Sequence, residues 1–197
     1  FRPSSSNDGN QIAFESFGGL YTDIFLKNRQ TASLSLVSSP LVGGYNNGSA
    51  TKAVISPNGN TIVYQSTAST IVSSDLNASA DVFKYTIATS TNELISKSSE
   101  GVAGDSSSSA PSVDTNANNI LFISAARNFG GSFNCSTSDF VRSESRKLTV
   151  PVEIGSQSAC STPVKQVFLS STGALVASVS VASGGFREIQ ISSNPLN

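Results

Sequence analysis

A recurring segment of about fifty residues is the feature that most limits what this chain can fold into. Each copy opens with a turn of Asn, Gly or Asp, which leads into a short apolar strand ending in Ser. The copies are SSNDGNQIAFES from Ser5, SPNGNTIVYQS from Ser56, DTNANNILFIS from Asp114 and, more weakly, SSTGALVASVS from Ser170. Such a repeat indicates a molecule built from one supersecondary unit used several times.

The second half of each copy repeats as well. An Asp precedes a strand whose residues alternate between two faces, and a further strand follows. The copies are TDIFLKNR from Thr22, ADVFKYTI from Ala80 and SDFVRSES from Ser138. The last copy offers only REIQISS, from Arg187 to Ser193. Each copy therefore predicts three or four short antiparallel strands. We expect essentially no helix, because no segment holds a 3.6-residue apolar period with caps.

Composition excludes several classes of function. The chain has no His, which rules out Ser-His-Asp and Cys-His catalysis and His-ligated zinc within it. Only 13% of residues are charged and the net charge is −1, with no basic cluster, so we expect no nucleic-acid partner. No apolar run is long enough for a membrane span. A chain that starts at Phe1 and lacks Met is expected to be a processed or excised product.

The stretch from Ser56 to Ser96 resembles one repeat of the TolB-like, WD-related β-propellers common in secreted bacterial proteins. The family's repeat has a Ser-x-Asp-Gly turn, a strand ending in aromatic-x-Ser, an Asp-x-Asn loop and an Asp-Val-Phe strand start. This stretch has all of these except that Asn58-Gly59 replaces Asp-Gly, which is kept only at Asp8-Gly9. The resemblance implies an all-β, propeller-like array of about four antiparallel blades, either closed, open or completed by another chain. It implies one domain, 1–197, with repeats near 2–50, 51–109, 110–164 and 165–197.

A loop in the second repeat carries oxygen side chains at alternate positions, Asp75, Asn77 and Ser79, and is followed by Asp81. A tight loop with this spacing can wrap a hard cation, so calcium is the one cofactor that the sequence suggests. The alternative is that the two acids only cap turns.

The acids Asp23, Asp81 and Asp139 recur at the start of corresponding strands. We expect each carboxylate to hydrogen-bond backbone amides of a neighbouring turn, with a ring of acids around a central cation as the alternative. The lysine Lys84, by contrast, is expected to be a solvated charge.

Covalent modification is suggested at five positions. Cys135 and Cys160 predict a disulfide in an oxidising compartment, or else two buried thiols. Asn47, Asn77 and Asn134 begin N-glycosylation sequons, which a chain rich in Asn and Ser also produces by chance. A glycan on Asn77 would compete with calcium.

The function predicted from these features is a non-enzymatic structural or interaction module of a secreted or periplasmic protein. The short last repeat leaves a strand edge near Arg187 to Ser193, which favours self-association into a homopolymeric assembly or fibre. The alternative is a propeller domain that binds a glycan or peptide and is excised from a larger secreted protein or enzyme.

Overall fold

The structure is a computed structural model that describes residues 3–17, 19–130, 136–152, 164–170, 172, 174–181, 187–193 and 195. Every regular element among them is a β-strand, and the strands form four antiparallel sheets that follow one another along the chain. The described residues contain no helix, which confirms the all-β prediction.

Each sheet is a meander in which every strand pairs with its neighbours in sequence. The first sheet contains β1 (Ser4–Ser5), β2 (Gln11–Phe17), β3 (Thr22–Asn28) and β4 (Leu34–Leu36), and the second contains β5 (Ala50–Ile55), β6 (Thr61–Ser66), β7 (Asp81–Thr86) and β8 (Thr91–Leu94). The third contains β9 (Ser108–Val113), β10 (Asn119–Ser124), β11 (Ser138–Ser143) and β12 (Leu148–Pro151), and the fourth contains β13 (Val164–Leu169), β14 (Leu175–Val181) and β15 (Arg187–Ser193). In the described residues the fourth sheet has three strands, as the short last repeat predicts.

The turn between the first two strands of each four-stranded sheet is built by the recurring polar residues. The Ser6 hydroxyl accepts a hydrogen bond from the Gln11 N–H at 3.1 Å and donates one to the Asp8 carboxylate at 2.5 Å. Ser56 makes the same pair of bonds in the second sheet. In the third sheet Asp114 takes this place and accepts two backbone N–H groups. The side chains thus close these hairpins locally, which is why the turns could be recognised in the sequence.

An aromatic pair on adjacent strands marks each four-stranded sheet. The pairs are Phe14–Phe25, Tyr64–Phe83 and Phe122–Phe140, with ring centroids 6.0, 5.6 and 6.0 Å apart. The second pair shares one buried core with Ile24 and Leu26 of the first sheet, and the third shares another with Val63 and Val82 of the second. The first three sheets are therefore stacked face to face, and the aromatic pairs of the second and third lie against the aliphatic side of the preceding sheet.

The aromatic side of the first sheet has no preceding sheet among the described residues. Leu36 lies opposite Phe25 and is 38% exposed, whereas Leu94, its counterpart opposite Phe83, is 2% exposed. Leu34 is 58% exposed. We call this surface, which is formed by Phe14, Phe25, Leu34 and Leu36, the open aromatic face.

A β-bulge in the first strand of the second and third sheets joins each sheet to the one before it. The bulged residues Lys52 and Ala110 both have a φ of 54°. The Lys52 N–H donates to Glu15 Oε1 at 2.7 Å, and the Ala110 N–H donates to Gln65 Oε1 at 3.1 Å. Because a bulge frees a backbone N–H from the ladder, an acceptor on the neighbouring sheet satisfies it.

The position of Lys84 differs from the expectation of a solvated charge. Its side chain is 14% exposed, and its ammonium group contacts Glu93 at 2.9 Å and Glu144 of the third sheet. Arg142, which is 2% exposed, contacts Glu144 at 3.1 Å. Lys84 is covered because its side of β7 faces the third sheet, and that packing is not visible in the local sequence. The ion pairs keep the buried charges satisfied.

Asp139 is not equivalent to Asp23 and Asp81, which corrects the prediction of three matching acids. When the aromatic pairs are aligned, Ser138 takes the position of Asp23 and Asp81, and Asp139 takes that of Val82. The loop before β11 is one residue shorter than the loop before β7, so counting along the sequence puts the acid one place off. Asp139 therefore lies on the opposite side of its sheet.

Asp139 is a buried acid in a position that carries an aliphatic residue elsewhere. It is 7% exposed, lies opposite Ile123, and its Oδ1 atom has no hydrogen-bond partner. Burial raises the pKa of its carboxyl group to about 6. The folded protein thus retains a proton that the unfolded chain has lost, and the free energy of unfolding falls as the pH rises from about 4 to about 6.

We expect Asp139→Val to raise the free energy of unfolding at pH 8 by on the order of 2 to 3 kcal/mol, because it removes this buried charge. Near pH 4 the gain should be much smaller. Urea denaturation across this pH range measures both effects. Asp139→Asn is the matched control, since it cannot ionise but keeps the shape. If wild type and Asp139→Asn show the same pH profile, Asp139 does not titrate as described.

We expect Phe83→Ala to cost about 3 to 5 kcal/mol of unfolding free energy, because its ring is fully buried between the first two sheets. The counterpart substitution on the open aromatic face, Phe25→Ala, should cost clearly less in the monomer, because that ring is only half-buried. Urea denaturation at low protein concentration compares the two. Equal losses would mean that the open aromatic face is covered within the chain.

Candidate functional site

The loop between β6 and β7, residues 67–80, carries the predicted calcium residues. It is anchored near its start by Ala68 and Ile71, which are buried in the core shared by the first two sheets. At its end the Ala80 carbonyl accepts the Ser108 N–H of the third sheet at 2.6 Å. The loop therefore bridges the second sheet to both of its neighbours.

Two acids of this loop region are buried with unsatisfied oxygens. Asp75 is 4% exposed, and neither of its carboxylate oxygens has a hydrogen-bond partner. Asp81 is fully buried; its Oδ1 accepts the Ser96 hydroxyl at 2.5 Å, and its Oδ2 has no partner. Three buried carboxylate oxygens thus lack a donor, which is costly for charged groups unless something compensates them.

The pKa shifts link these groups electrostatically. Burial raises the pKa of Asp75, and the backbone N–H of Asn77 opposes the rise. Burial also raises the pKa of Asp81 to about 7. The side chains of Ser96 and Asn77 oppose that second shift, while the charge of Asp75 adds to it. Asp75, Asn77 and Asp81 therefore form one cluster.

Asn77 and Ser79 use their polar atoms inside the loop. The Asn77 amide donates from Nδ2 to the Gly104 carbonyl at 2.7 Å and accepts the Ser79 N–H at Oδ1, also at 2.7 Å. The Ser79 hydroxyl donates to the Asn77 carbonyl at 3.4 Å. Of the four residues predicted as ligands, Asp75 and Asp81 have unsatisfied oxygens, while Asn77 and Ser79 shape the loop.

Asp23 shows how the first sheet satisfies the acid equivalent to Asp81. Its Oδ1 accepts the Ser38 hydroxyl at 2.8 Å and the Asn46 amide at 2.7 Å. These donors are side chains, whereas the sequence predicted backbone amides. The second sheet keeps the serine, Ser96, but has Gly104 at the position that corresponds to Asn46.

The partner serines were missed in the sequence, although a signal for them exists. Ser38 follows Asp23 by 15 residues, and Ser96 follows Asp81 by the same 15. A constant separation between an acid and a hydroxyl in two repeats is typical of a repeated contact. The third repeat lacks this pair, since Ser138 replaces the acid.

The sequons differ in their surroundings. Asn47 is exposed, and its side chain makes two hydrogen bonds to Ser69. Asn77 is half-buried, and the nitrogen that a glycan would modify donates to the Gly104 carbonyl. The third sequon residue, Asn134, lies outside the described residues, as do Cys135 and Cys160. The disulfide and the three glycans stay predictions.

Two absences hold for the part of the chain that the structure describes. No helix in it is long and apolar enough to cross a membrane. Nor do three or more of its His, Cys, Asp or Glu residues cluster into a group that could hold a metal ion by themselves. Asp75 and Asp81 are only two acids, so a cation bound to them would need further oxygen ligands from the backbone or water to complete its coordination shell.

Neither a protein-family model nor a curated protein matches the sequence. Similarity is found at the level of the fold. TolB from Acinetobacter baumannii superposes with a TM-score of 0.62 at 18% identity, over 98% of this chain and 41% of that one. A structure from an analysis of two prolyl endopeptidases gives a TM-score of 0.65 at 10% identity, over 100% of this chain and 28% of that one. Dipeptidyl peptidase 4 from Porphyromonas gingivalis gives 0.57 at 8%, over 91% and 29%.

The chain thus spans about two fifths of TolB and less than a third of either peptidase structure. Identities this low carry information about the fold alone. The superpositions agree with the arrangement of the antiparallel sheets as consecutive, stacked blades. The chain therefore has the TolB-like β-propeller fold.

Proposed function

We propose that this chain is a non-enzymatic interaction module of a protein exported to the periplasm or the cell exterior, and that copies of it associate through the open aromatic face. The observation that carries the proposal is the exposure of Leu34 and Leu36 beside the Phe14–Phe25 pair. The same surface is buried on the second and third sheets, where a preceding sheet covers it.

The occupant proposed for the open aromatic face is the fourth sheet of a second copy. Inside the chain, every four-stranded sheet after the first receives the far side of the preceding sheet on its aromatic side. Among the described residues no sheet follows the fourth, so the proposal assigns the far side of that sheet to the contact. Contact between two different surfaces is heterologous and joins copies head to tail.

The outer edge of the fourth sheet is a second feature that favours association between copies. Among the described residues, β15 pairs with β14 and no strand follows it. Its free edge presents backbone N–H and C=O groups to a further strand. Arg187 is the one Lys or Arg in β15, so little positive charge is present there to repel a partner.

We expect the wild-type chain to associate increasingly with concentration in size-exclusion chromatography with light scattering. The double variant Leu34→Lys and Leu36→Lys should be monomeric, because it places two charges on the open aromatic face. Val102→Lys is the matched control: Val102 is 59% exposed, similar to Leu34, but lies outside that face, so this variant should associate like wild type.

A wild-type chain that stays monomeric at all concentrations would overturn self-association. So would association that the double variant leaves intact. Native mass spectrometry of the protein as isolated from its source distinguishes association between copies from coverage of the face by a longer chain. Copies of this chain in one particle support the proposal, whereas a single longer polypeptide means that its own further residues cover the face.

A second candidate is a propeller domain that binds a glycan or peptide ligand, as part of a larger exported protein or enzyme. It is favoured by exposed apolar side chains at one end of the first sheet, among them Tyr45 at 95%, Leu20 at 85% and Val42 at 80% exposure. Contiguous exposed apolar patches often mark binding surfaces, and these side chains are the candidates for one here. Binding on a glycan array or a peptide array that is lost in Tyr45→Ser, with the oligomeric state unchanged, would support this candidate.

A further inference from the structure

We propose that Asp75 and Asp81 bind one calcium ion at the loop between β6 and β7. The starting observation is geometric: Asp75 Oδ1, Asp75 Oδ2 and Asp81 Oδ2 are buried, and no donor meets any of them at hydrogen-bond distance and angle. Asn77, which acts on both acids, lies outside that geometry, and its amide is bonded to the Gly104 carbonyl. The two acids are 4% and 0% exposed, so water does not replace the missing donors freely. In this proposal, a cation bound between the two acids satisfies all three oxygens together.

The other sheets show that this arrangement is particular to the second one. Asp23, in the position of Asp81, has a hydroxyl and an amide as donors, and the loop before it is too short to contain a counterpart of Asp75. In the third sheet that position is Ser138, so the acid is absent. The second sheet adds a buried acid, Asp75, and has Gly104 where the first sheet has Asn46, so the amide that Asp23 accepts has no counterpart at that position.

Space for another donor beside Asp81 is restricted on the side of Gly104. A Cβ atom at Gly104 would approach Phe129 Cζ to 2.8 Å, so a residue like Asn46 does not fit there without displacing the ring. The Gly104 carbonyl instead receives the Asn77 amide at 2.7 Å. The protein thus fixes the loop with Asn77 and leaves the carboxylate oxygens for a ligand.

Calcium fits this set of atoms better than other common cations. It accepts carboxylates in bidentate and monodentate modes and takes oxygen ligands in flexible geometry, with backbone carbonyls and water completing the shell. Magnesium demands a nearly ideal octahedron and gives up its water reluctantly, which suits a buried pair poorly. Zinc and copper favour His and Cys, and the residues that the structure describes include neither type.

In this proposal Asp75 is a bidentate ligand and Asp81 a monodentate one, while Asn77 is a positioning residue. Bound calcium would join the middle of the loop to the first residue of β7. The loop also contacts Gly104, which lies before the third sheet, and Ser108, which is the first residue of that sheet. The ion would therefore stabilise the junction between the second and third sheets.

The test is calcium binding by the chelator-treated 197-residue chain, measured by isothermal titration calorimetry with calcium chloride and by thermal unfolding. We expect one calcium per chain. We also expect a rise in the melting temperature of about 5 to 10 °C at a calcium concentration about a hundredfold above the dissociation constant. Magnesium chloride at the same concentration should give a much smaller rise.

Three variants sharpen the test. Asp75→Asn and Asp81→Asn keep the side-chain shape but remove a charge, so each should lose the calorimetric signal and the calcium-dependent rise in melting temperature. Asp23→Asn is the matched control: it changes the equivalent acid of the first sheet and should keep the full calcium response even if its own stability drops. Circular dichroism establishes that each variant is folded.

Two results, one with the wild-type chain and one with the Asp75→Asn variant, would overturn the proposal. One is a wild-type chain with no calorimetric signal and an unchanged melting temperature up to millimolar calcium, which would mean that the two carboxyl groups are buried in protonated form. The other is an unchanged calcium response in Asp75→Asn, which lies on the loop and is the variant expected to fold most readily. A response lost equally in Asp23→Asn would also count against the site.

Discussion

The structure depends on one repeated contact, in which the aromatic pair of a sheet lies against the aliphatic side of the sheet before it. Tyr64 and Phe83 make this contact with the first sheet, and Phe122 and Phe140 make it with the second. Full burial of an aromatic side chain is worth several kcal/mol, far more than any single turn or ion pair on the surface. A short antiparallel sheet is at best marginal alone, so this stacking holds the molecule together.

Polar contacts fix the orientation of the stacked sheets. The bulged N–H groups of Lys52 and Ala110 meet Glu15 and Gln65, which occupy the same place on successive sheets. These bonds contribute modestly to stability, but each bulge N–H would lose its protein acceptor if the sheets slid past each other. The aliphatic and aromatic surfaces supply the attraction, and the bulge contacts define the register.

The sequence allowed the sheets, the hairpin turns and their order to be predicted, because the residues that determine them are close in the chain. Ser6 and Asp8 make their turn contacts within a few residues, and the turn recurs at Ser56. Features that depend on contacts between sheets were not predictable in this way. Lys84 is paired and covered because Glu144 belongs to the next sheet, and its own strand gives no sign of this.

The acids illustrate both outcomes. Counting along the chain grouped Asp139 with Asp23 and Asp81, but a loop shorter by one residue moves Asp139 to the other side of its strand. The sequence singled out Asp75 and Asp81 in one loop region, and the structure finds both of them buried there. The sequence did not show that Asn77 would use its amide for the loop itself, since that depends on the Gly104 carbonyl in another segment.

The stacking contact has a consequence for how such a chain can change in length. Every four-stranded sheet has one aromatic and one aliphatic side, so the surface between the first and second sheets has the same character as that between the second and third. A gain or loss of one whole repeat would bring together two surfaces that already suit each other, whereas a gain or loss of part of a repeat would expose a mismatched one. Duplication in units of a complete sheet is therefore the change that this architecture tolerates, and the number of sheets can vary while the contact between them stays the same.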